Sequence, residues 1–452
     1  MIALPTAVLA FMNTIRENGY EVYVVGGAVR NLLLGKPVTN WDFTTNALPE
    51  KIQQLFPDNF YHNTYGTVTV KNGEDLFEIT PFRKESNYTD NRHPEQIEWA
   101  KTLNEDLARR DFTINAMALR LVSLTQGKPI KYEIVDLFKG QKHIEEKLIV
   151  AVGDPDKRFQ EDALRLMRGI RFASQMGFLI AEDTRNAMTK NAELIKNISW
   201  ERIRDELLKI VASEHPAEGV LFLKSTGILK YILPELDDCF AVPQKSPNRH
   251  HIYDVGTHLI MALKHCPSKD PIVRLAALLH DIGKVGTFRR DEKTEMITFY
   301  NHEVLGTMQV KKIAERFRLS NEQKTKLVRL VEFHQFTVTE DQTDKAVRRF
   351  IRDVGKEYIQ DMLDLRTADR IGSGSTPTSW RLDLFKKRII EVQKEPFTVK
   401  ELKVDGTDVM RILNIKPSKL VGDVLDELFE KVTSGKVKNE REELLKHIEL
   451  PQ

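Results

Sequence analysis

Cysteine is almost missing from this chain. Only Cys239 and Cys266 occur among 452 residues, too few for a disulfide framework, which fits a reducing compartment. Long hydrophobic runs are missing too. The opening MIALPTAVLAFMNTIRENG has no basic stretch ahead of its apolar residues and no apolar run of roughly 18, so neither an export signal nor a membrane span is expected. Charge of one sign is scarce: 68 Lys plus Arg against 66 Asp plus Glu leave a net +2. That balance excludes a polybasic protein held to its partner by overall charge, yet permits a basic groove on a neutral surface. There is no internal repeat and no low-complexity tract. A soluble, cytoplasmic, multidomain protein is expected, with about three domains at roughly 150 residues each.

What is present is unevenly placed. Seven of the twelve histidines fall between His250 and His334, which points to a local metal site and a boundary near residue 240. Before that boundary, residues 1–150 alternate helical and strand patterns. Pro5–Glu17 and Ala28–Leu34 read as helices; Tyr20–Val25, Trp41–Thr45, Gly66–Val70 and Leu76–Thr80 read as strands. From about Asp154 the pattern is helical, with a stripe of Phe159, Ala163, Leu166, Met167 and Ile170. A linker-like GSGSTPTS at Gly372–Ser379 closes the histidine-rich region.

Three groups of residues carry chemistry. Gly26-Gly27 joins a strand to a helix, where backbone can approach a phosphate and Arg30 can add a charged fork; the same dipeptide alone is equally a tight turn. Asp42 and Glu78 sit in strands beside apolar neighbours, so burying them demands a cation or donor. Phosphoryl transfer needs such carboxylates to hold Mg²⁺ against a triphosphate; singly, each is also an ordinary solvent-facing strand residue. Arg109 and Arg110 can clamp triphosphate oxygens, while Asp111 and Asn115 can read ribose hydroxyls. Farther on, Asp162 and Arg165 are spaced i, i+3. They form either a plain helical ion pair or a coplanar set of donors and acceptors matching a base edge, with Arg168 and Arg171 continuing a basic surface toward RNA phosphates. In the last group, His280-Asp281 ends the apolar stretch RLAALLHDIGK, where imidazole and carboxylate can reach one cation. His258 precedes it and Asp369 follows.

The elements GGAVRNLLLG, NWDFTT, LFEITPF, RRDFTINAMA and EDALRLMRGIRF, over roughly residues 20–235, resemble the tRNA nucleotidyltransferase/poly(A) polymerase family, in particular bacterial-type (class II) CCA-adding enzymes of the polymerase β superfamily. The resemblance implies an α+β multidomain fold: a polymerase β-like nucleotidyltransferase head with a mixed sheet, then all-α neck, HD and tail regions. It implies Asp42 and Glu78 as catalytic Mg²⁺ ligands, and nucleotide contacts from Gly26, Gly27, Arg30, Arg110, Asp111, Asn115, Asp162, Arg165 and Arg168. Asp162 and Arg165 match the family's EDxxR element, which implies selection of CTP and ATP without a nucleic-acid template. Phe82–Trp99 resembles the family's flexible loop, with Asp90, Arg92 and Pro94 at matching places, and favours full CCA addition to tRNA.

One departure stands out. Where the family has Asp-x-Asp, this chain has Asn40-Trp41-Asp42. An amide oxygen can ligate Mg²⁺ but brings no charge. A natural active variant, an engineered inactive form and a degenerate head all remain open, and the intact companion motifs favour the first.

The order His258, His280-Asp281, Asp369 resembles an HD phosphohydrolase domain over about residues 248–375. It implies those four as ligands, His302 and His334 as a second metal or phosphate site, Lys284 as a phosphate holder, and a transition metal such as Mn²⁺, Ni²⁺ or Co²⁺. The expected organisation is head 1–150, neck 151–240, HD domain 241–375 and helical tail 376–452, whose Lys416, Lys419, Lys431 and Lys436 either touch tRNA or face solvent. A poly(A) or A-adding polymerase ranks second, because FYHNTYGTVTV lacks the basic stretch of those enzymes. An HD hydrolase whose head only binds RNA, and a non-enzymatic tRNA-binding protein, complete the alternatives.

Overall fold

Alternation of period two decides how the N-terminal sheet is used. A computed structural model describes residues 4–62, 66–88, 94–123, 131–244, 253–340, 342–393, 399–433 and 436–450. In it, α1 (Thr6–Glu17) is followed by β1 (Val22–Val25), α2 (Gly27–Leu33), β2 (Trp41–Thr45), α3 (Pro49–Leu55), β3 (Asn59–His62), β4 (Thr67–Asn72) and β5 (Asp75–Pro81). Then come β6 (Arg83–Tyr88), β7 (Pro94–Trp99), α4 (Leu103–Ala108), β8 (Met117–Ser123), β9 (Lys131–Asp136) and α5 (Gly140–Glu145). Seven strands form one mixed sheet in the order β3-β4-β5-β2-β1-β8-β9. Only β2 and β5 pair in parallel; their register sets Phe43 beside Ile79 and Asp42 beside Glu78. Phe43 and Phe77 turn to the core, where Phe11 of α1 meets their rings at 4.7 and 5.0 Å. Asp42 and Glu78 therefore project from the opposite face.

The remaining elements are short β10 (Leu148–Ile149), α6 (Pro155–Glu161), α7 (Leu164–Met176), β11 (Leu179–Ile180), α8 (Glu182–Asn191), α9 (Trp200–Val211), α10 (Pro216–Ser225), α11 (Leu229–Ile232) and α12 (Pro234–Asp237). Beyond them lie α13 (Val255–Lys264), α14 (Pro271–Leu279), α15 (Lys284–Thr287), β12 (Arg289–Arg290), β13 (Ile297–Thr298), α16 (His302–Arg316), α17 (Asn321–Glu332), α18 (Asp344–Val354) and α19 (Ile359–Gly372). The chain ends with α20 (Trp380–Val392), α21 (Gly406–Leu413), α22 (Lys419–Thr433) and α23 (Arg441–Lys446). The described chain divides into two compact units: Met1–Val242 with Asp270–Leu275 and Lys311–Ser320, and Pro243–Lys269 with Ala276–Val310 and Asn321–Gln452. In the second unit, Phe350 of α18 meets the rings of Phe336 and Phe385 at 4.7 and 5.3 Å, and Leu402, Val409, Val424, Leu428 and Leu444 form a separate tail core.

The expected helices and strands occur within a residue or two at most ends. The expected stripe is buried throughout, but it is not one helix. Asp162 adopts an extended conformation (φ −141°) and separates α6 from α7. Strands β3, β8 and β9 escaped the sequence reading, since NFYH and MALRLVS carry no clean alternation. Phe82–Trp99, expected as the family's flexible loop, contains the antiparallel pair β6 and β7; Asp90 and Arg92 fall outside the described residues. His250 and His251 do too. In the tail, Lys431 is paired with Glu427 and Glu449, while Lys416, Lys419 and Lys436 are exposed.

Candidate functional sites

On the open face of the sheet, parallel register brings the Asp42 and Glu78 carboxylates together. Burial pushes Asp42 up to about 6, Glu78 adds to the shift, and Arg110 opposes it. An all-oxygen pair short of positive charge suits a hard divalent cation, so Asp42 and Glu78 fit Mg²⁺. Asn40 is exposed, precedes the start of β2, and is absent from the described lining of the cavity. Gly26 takes φ 68°, and a Cβ there would stand 3.2 Å from Arg110 Nη1. Only glycine lets the turn pass beneath that guanidinium.

The cavity over this face has a volume of about 670 Å³, and Gly26, Gly27, Arg30, Arg109, Arg110, Asp111, Asn115, Asp162, Arg165 and Arg168 line it with Asp42 and Glu78. Its arginines are held from behind. Asp106, fully buried, accepts from Arg109 Nε and Nη2 at 3.0 and 2.8 Å through Oδ1, and from Arg110 Nη2 at 3.2 Å through Oδ2. Burial alone would raise its pKa, but the two guanidiniums outweigh that and hold it below the usual carboxylate range. Arg30 Nη1 donates to Asn115 Oδ1 at 2.7 Å; burial and nearby Arg171 push it down to about 10. Phe172 gathers Arg30, Arg168 and Arg171 over its ring at 5.4, 5.4 and 4.1 Å.

Asp162 and Arg165 both line the cavity but do not pair as an i, i+3 bridge. The break between α6 and α7 turns Asp162 so that Oδ1 accepts from Leu164 N at 3.0 Å, while Oδ2 accepts from Arg202 Nη2 at 3.1 Å. Arg165 Nη1 instead reaches Glu161 at 2.6 Å, and its Nη2 reaches the Arg109 carbonyl at 3.2 Å. The basic surface expected of Arg168 and Arg171 is likewise neutralised, by Asp111 and Glu206, each at 2.5 Å. Asp106, Glu161, Phe172 and Arg202 were not assigned roles from sequence. The i+3 and i+4 spacing of Asp106 to Arg109 and Arg110 was a usable signal; nothing local marked Arg202, forty residues from Asp162.

In the second unit six side chains converge. Ligand atoms of His258, His280, Asp281 and Asp369 lie within 4.8 Å of one another, as do those of Asp281, His302 and His334. Asp281 belongs to both sets. Its Oδ2 is 3.2 Å from His258 Nε2 and 3.3 Å from His280 Nε2; its Oδ1 is 3.2 Å from His302 Nε2 and 3.5 Å from His334 Nε2. Asp369 Oδ1 stands 3.4 Å from His258 and 3.6 Å from His280. The Nδ1 atoms of His280, His302 and His334 face the carbonyls of Ala277, Phe299 and Val331 at 3.0, 2.8 and 2.7 Å. Donating there fixes the tautomer and aims each Nε2 lone pair inward.

The site calls for positive charge. Burial pushes His280 down, yet Asp281 and Asp369 outweigh it and carry it up to about 10. A Cβ at Gly283 would meet the His302 carbonyl at 2.1 Å, so only glycine lets α16 begin this close to the His-Asp pair. Lys284 differs from expectation. Its ammonium is buried, 2.6 Å from Asp281 Oδ2 and 2.7 Å from Gln244 Oε1, and that pairing occupies the charge expected to hold a phosphate.

A mixed sheet with paired acidic side chains on its open face, followed by helices, defines the first unit as a nucleotidyltransferase head with its helical extension. The Poly A polymerase head domain family matches residues 22–150, the probable RNA and SrmB-binding site of polymerase A matches 177–240, and the putative tRNA nucleotidyltransferase domain 2 matches 288–448. A CCA-adding enzyme of Ligilactobacillus salivarius is 30% identical over 444 residues, 97% of this chain and 95% of that protein. One from Geobacillus kaustophilus is 42% identical over 225 residues, spanning 50% of this chain and about half, 54%, of the relative. The crystal structure of the Bacillus stearothermophilus CCA-adding enzyme in complex with CTP aligns with 98% of this chain and 97% of its own, at a TM-score of 0.69 and 26% identity. The chain belongs to the family of CCA-adding enzymes. Among the described residues no helix is long and apolar enough to cross a membrane.

Proposed function

We propose that the chain adds C, C and A to tRNA 3′ ends from CTP and ATP without a nucleic-acid template. The observation that carries this reading is one cavity lined by Asp42 and Glu78 together with Asp162 and Arg165. Asp42 and Glu78 would hold Mg²⁺, which when bound would offset the charge of the triphosphate and of the departing pyrophosphate. The backbone at Gly26-Gly27, with Arg30 and Arg110, binds the phosphates; Asp111 and Asn115 face the ribose. Asp162, steadied by Arg202, and Arg165, steadied by Glu161, present acceptor and donors to the base edge. Arg168 acts on the nucleotide through Asp111.

A second activity is supported by the six-residue cluster. Its imidazole-rich ligand set suits a transition metal such as Mn²⁺, Ni²⁺ or Co²⁺, which would supply Lewis acidity toward a phosphoester and water. In the hydrolysis proposed, a water oxygen bonds to phosphorus, the ester P–O bond breaks, and the alcohol leaves with one of the water's protons. The division into head 1–150, neck 151–240, HD domain 241–375 and tail 376–452 belongs to the same proposal, as does a cytoplasmic location.

The deciding experiment is incorporation of labelled CTP and ATP, with Mg²⁺, into tRNA lacking its terminal CCA. Ordered addition of both is expected. Incorporation of ATP alone, in long runs, would instead mark a poly(A) or A-adding polymerase. RNA binding with no incorporation would leave a hydrolase with a binding head, and neither activity would leave a tRNA-binding protein.

A further inference from the structure

Two cavities adjoin in the second unit. One, of about 430 Å³, opens on the His-Asp cluster and is lined by Asp281, His302, His334 and Asp369. The other, of about 560 Å³, is walled by Phe336, Arg370, Trp380 and Arg381. Gln335 and Arg366 line both. The contiguity follows from α19: Asp369 turns to the cluster, its neighbour Arg370 lines the second cavity, and Arg366 one turn earlier serves each. Both volumes fall in the range of small-ligand sites.

The lining has a definite chemistry. Trp380 is 59% exposed and Tyr300, in the cluster cavity, is 79% exposed, so each cavity carries one large aromatic surface left to solvent. The Arg381 guanidinium stands 5.2 Å from the Trp380 ring and also meets Glu340 at 3.3 Å. Arg366 spans from Asp369 Oδ2, at 3.3 Å, to the face of Phe336, at 5.4 Å. Arg370 holds the carbonyls of Thr376 and Thr378 at 3.0 and 3.1 Å, which anchors the loop leading to Trp380. An aromatic platform, a shared arginine and a second aromatic platform repeat the pattern of single-stranded nucleic acid: base, phosphate, base.

We infer that the cavity of Trp380, Arg381 and Phe336 is a nucleoside subsite continuing the cluster cavity, so that its substrate is a single-stranded nucleic-acid phosphodiester at least two nucleotides long. The inference rests on the hydrolase reading of the cluster. One base stacks on Trp380, and the phosphate between the two nucleosides reacts at the cluster, faced by Arg366, which stands 3.3 Å from Asp369.

The test uses the full chain labelled with 5-fluorotryptophan, the Trp380 ¹⁹F resonance being assigned through Trp380→Phe. Titration with the dinucleotide CpA is expected to move that resonance saturably, whereas inorganic phosphate does not. Absence of any CpA-dependent shift of Trp380 overturns the subsite, whatever the catalytic result. In parallel, hydrolysis of CpA and of ethyl p-nitrophenyl phosphate is followed with Mn²⁺. Trp380→Ala is expected to lower the ratio of the CpA kcat/KM to that of the small diester by about tenfold or more, with Trp380→Phe restoring most of it. An unchanged ratio overturns the inference and leaves the hydrolase reading standing. If the wild-type chain cleaves neither diester, the hydrolase reading fails, and the ¹⁹F titration alone decides the subsite.

Discussion

Arg168 of α7 reaches Asp111 with Nε at 2.8 Å and Nη2 at 2.5 Å, joining the helix that carries Arg165 to the motif that carries Arg109 and Arg110. Burial would raise Asp111, but Arg168, with help from Arg165 and the Phe112 N–H, brings it down to about 2. A carboxylate whose folded pKa lies below its unfolded value, about 3.9, stabilises the fold above that value and loses the contribution as pH falls toward 2. Asp111→Asn is therefore expected to cost on the order of 2 kcal/mol near neutrality. The check is thermal melting at pH 7, 5 and 3.5: the gap to wild type should be constant between the first two and narrow at the third. A gap that widens on acidification would show that the pair does not stabilise the fold.

Asp42→Ala should abolish nucleotide addition, since it leaves Glu78 alone to face a cation. Asn40→Asp should leave the rate unchanged or raise it, because a carboxylate there can add the charge that the amide lacks. Single-turnover incorporation of CTP measures both. Near-wild-type turnover by Asp42→Ala would remove Asp42 from the metal site.

Asp106→Asn should raise KM for both CTP and ATP several-fold, with a smaller effect on kcat. The amide offers one acceptor where the carboxylate held two guanidiniums, and loosening a buried ion pair costs roughly 3–5 kcal/mol when a partner is lost outright. Melting measured alongside separates lost positioning from lost folding. Unchanged KM in a folded protein would mean that Arg109 and Arg110 need no anchor.

Arg165→Ala should weaken discrimination among CTP, UTP, ATP and GTP more than it weakens triphosphate binding. The guanidinium lines the cavity, held by Glu161 and by the Arg158 and Arg109 carbonyls rather than by Asp162. Incorporation ratios decide. A constant ratio with uniformly poorer binding would make it a phosphate contact.

Joint replacement His280→Ala and Asp281→Ala should remove bound transition metal and phosphoester hydrolysis while sparing CCA addition. Asp281 lies within 3.5 Å of four imidazoles, so its loss breaks both ligand sets at once. Metal content by elemental analysis, melting temperature and both activities are read on the same preparation. A folded double variant that no longer adds nucleotides would tie the cluster to the polymerase reaction.

Local pattern made much of this protein legible. Trp41–Thr45 and Leu76–Thr80 alternate clearly enough to be read as strands, and the resemblance of GGAVRNLLLG, NWDFTT, LFEITPF and RRDFTINAMA to a known family implies the head. The order His258, His280-Asp281, Asp369 singled out four residues whose ligand atoms converge within 4.8 Å. The strand readings rest on alternation a few residues long, which a sequence displays directly; the motif readings rest on resemblance to a known family. The partners of each side chain were another matter. That Asp42 and Glu78 share a register follows from the one parallel pairing in the sheet, which neither strand encodes alone. That Asp162 answers to Arg202, and Arg165 to Glu161, follows from a helix break at residue 162 and the packing of α9. His302 meets the same Asp281 because Gly283 lets α16 approach, and His334 joins it from just beyond α17. Side-chain identity and spacing belong to the chain; which charge neutralises which is a matter of distance, and only the folded packing sets distances between residues forty or more positions apart.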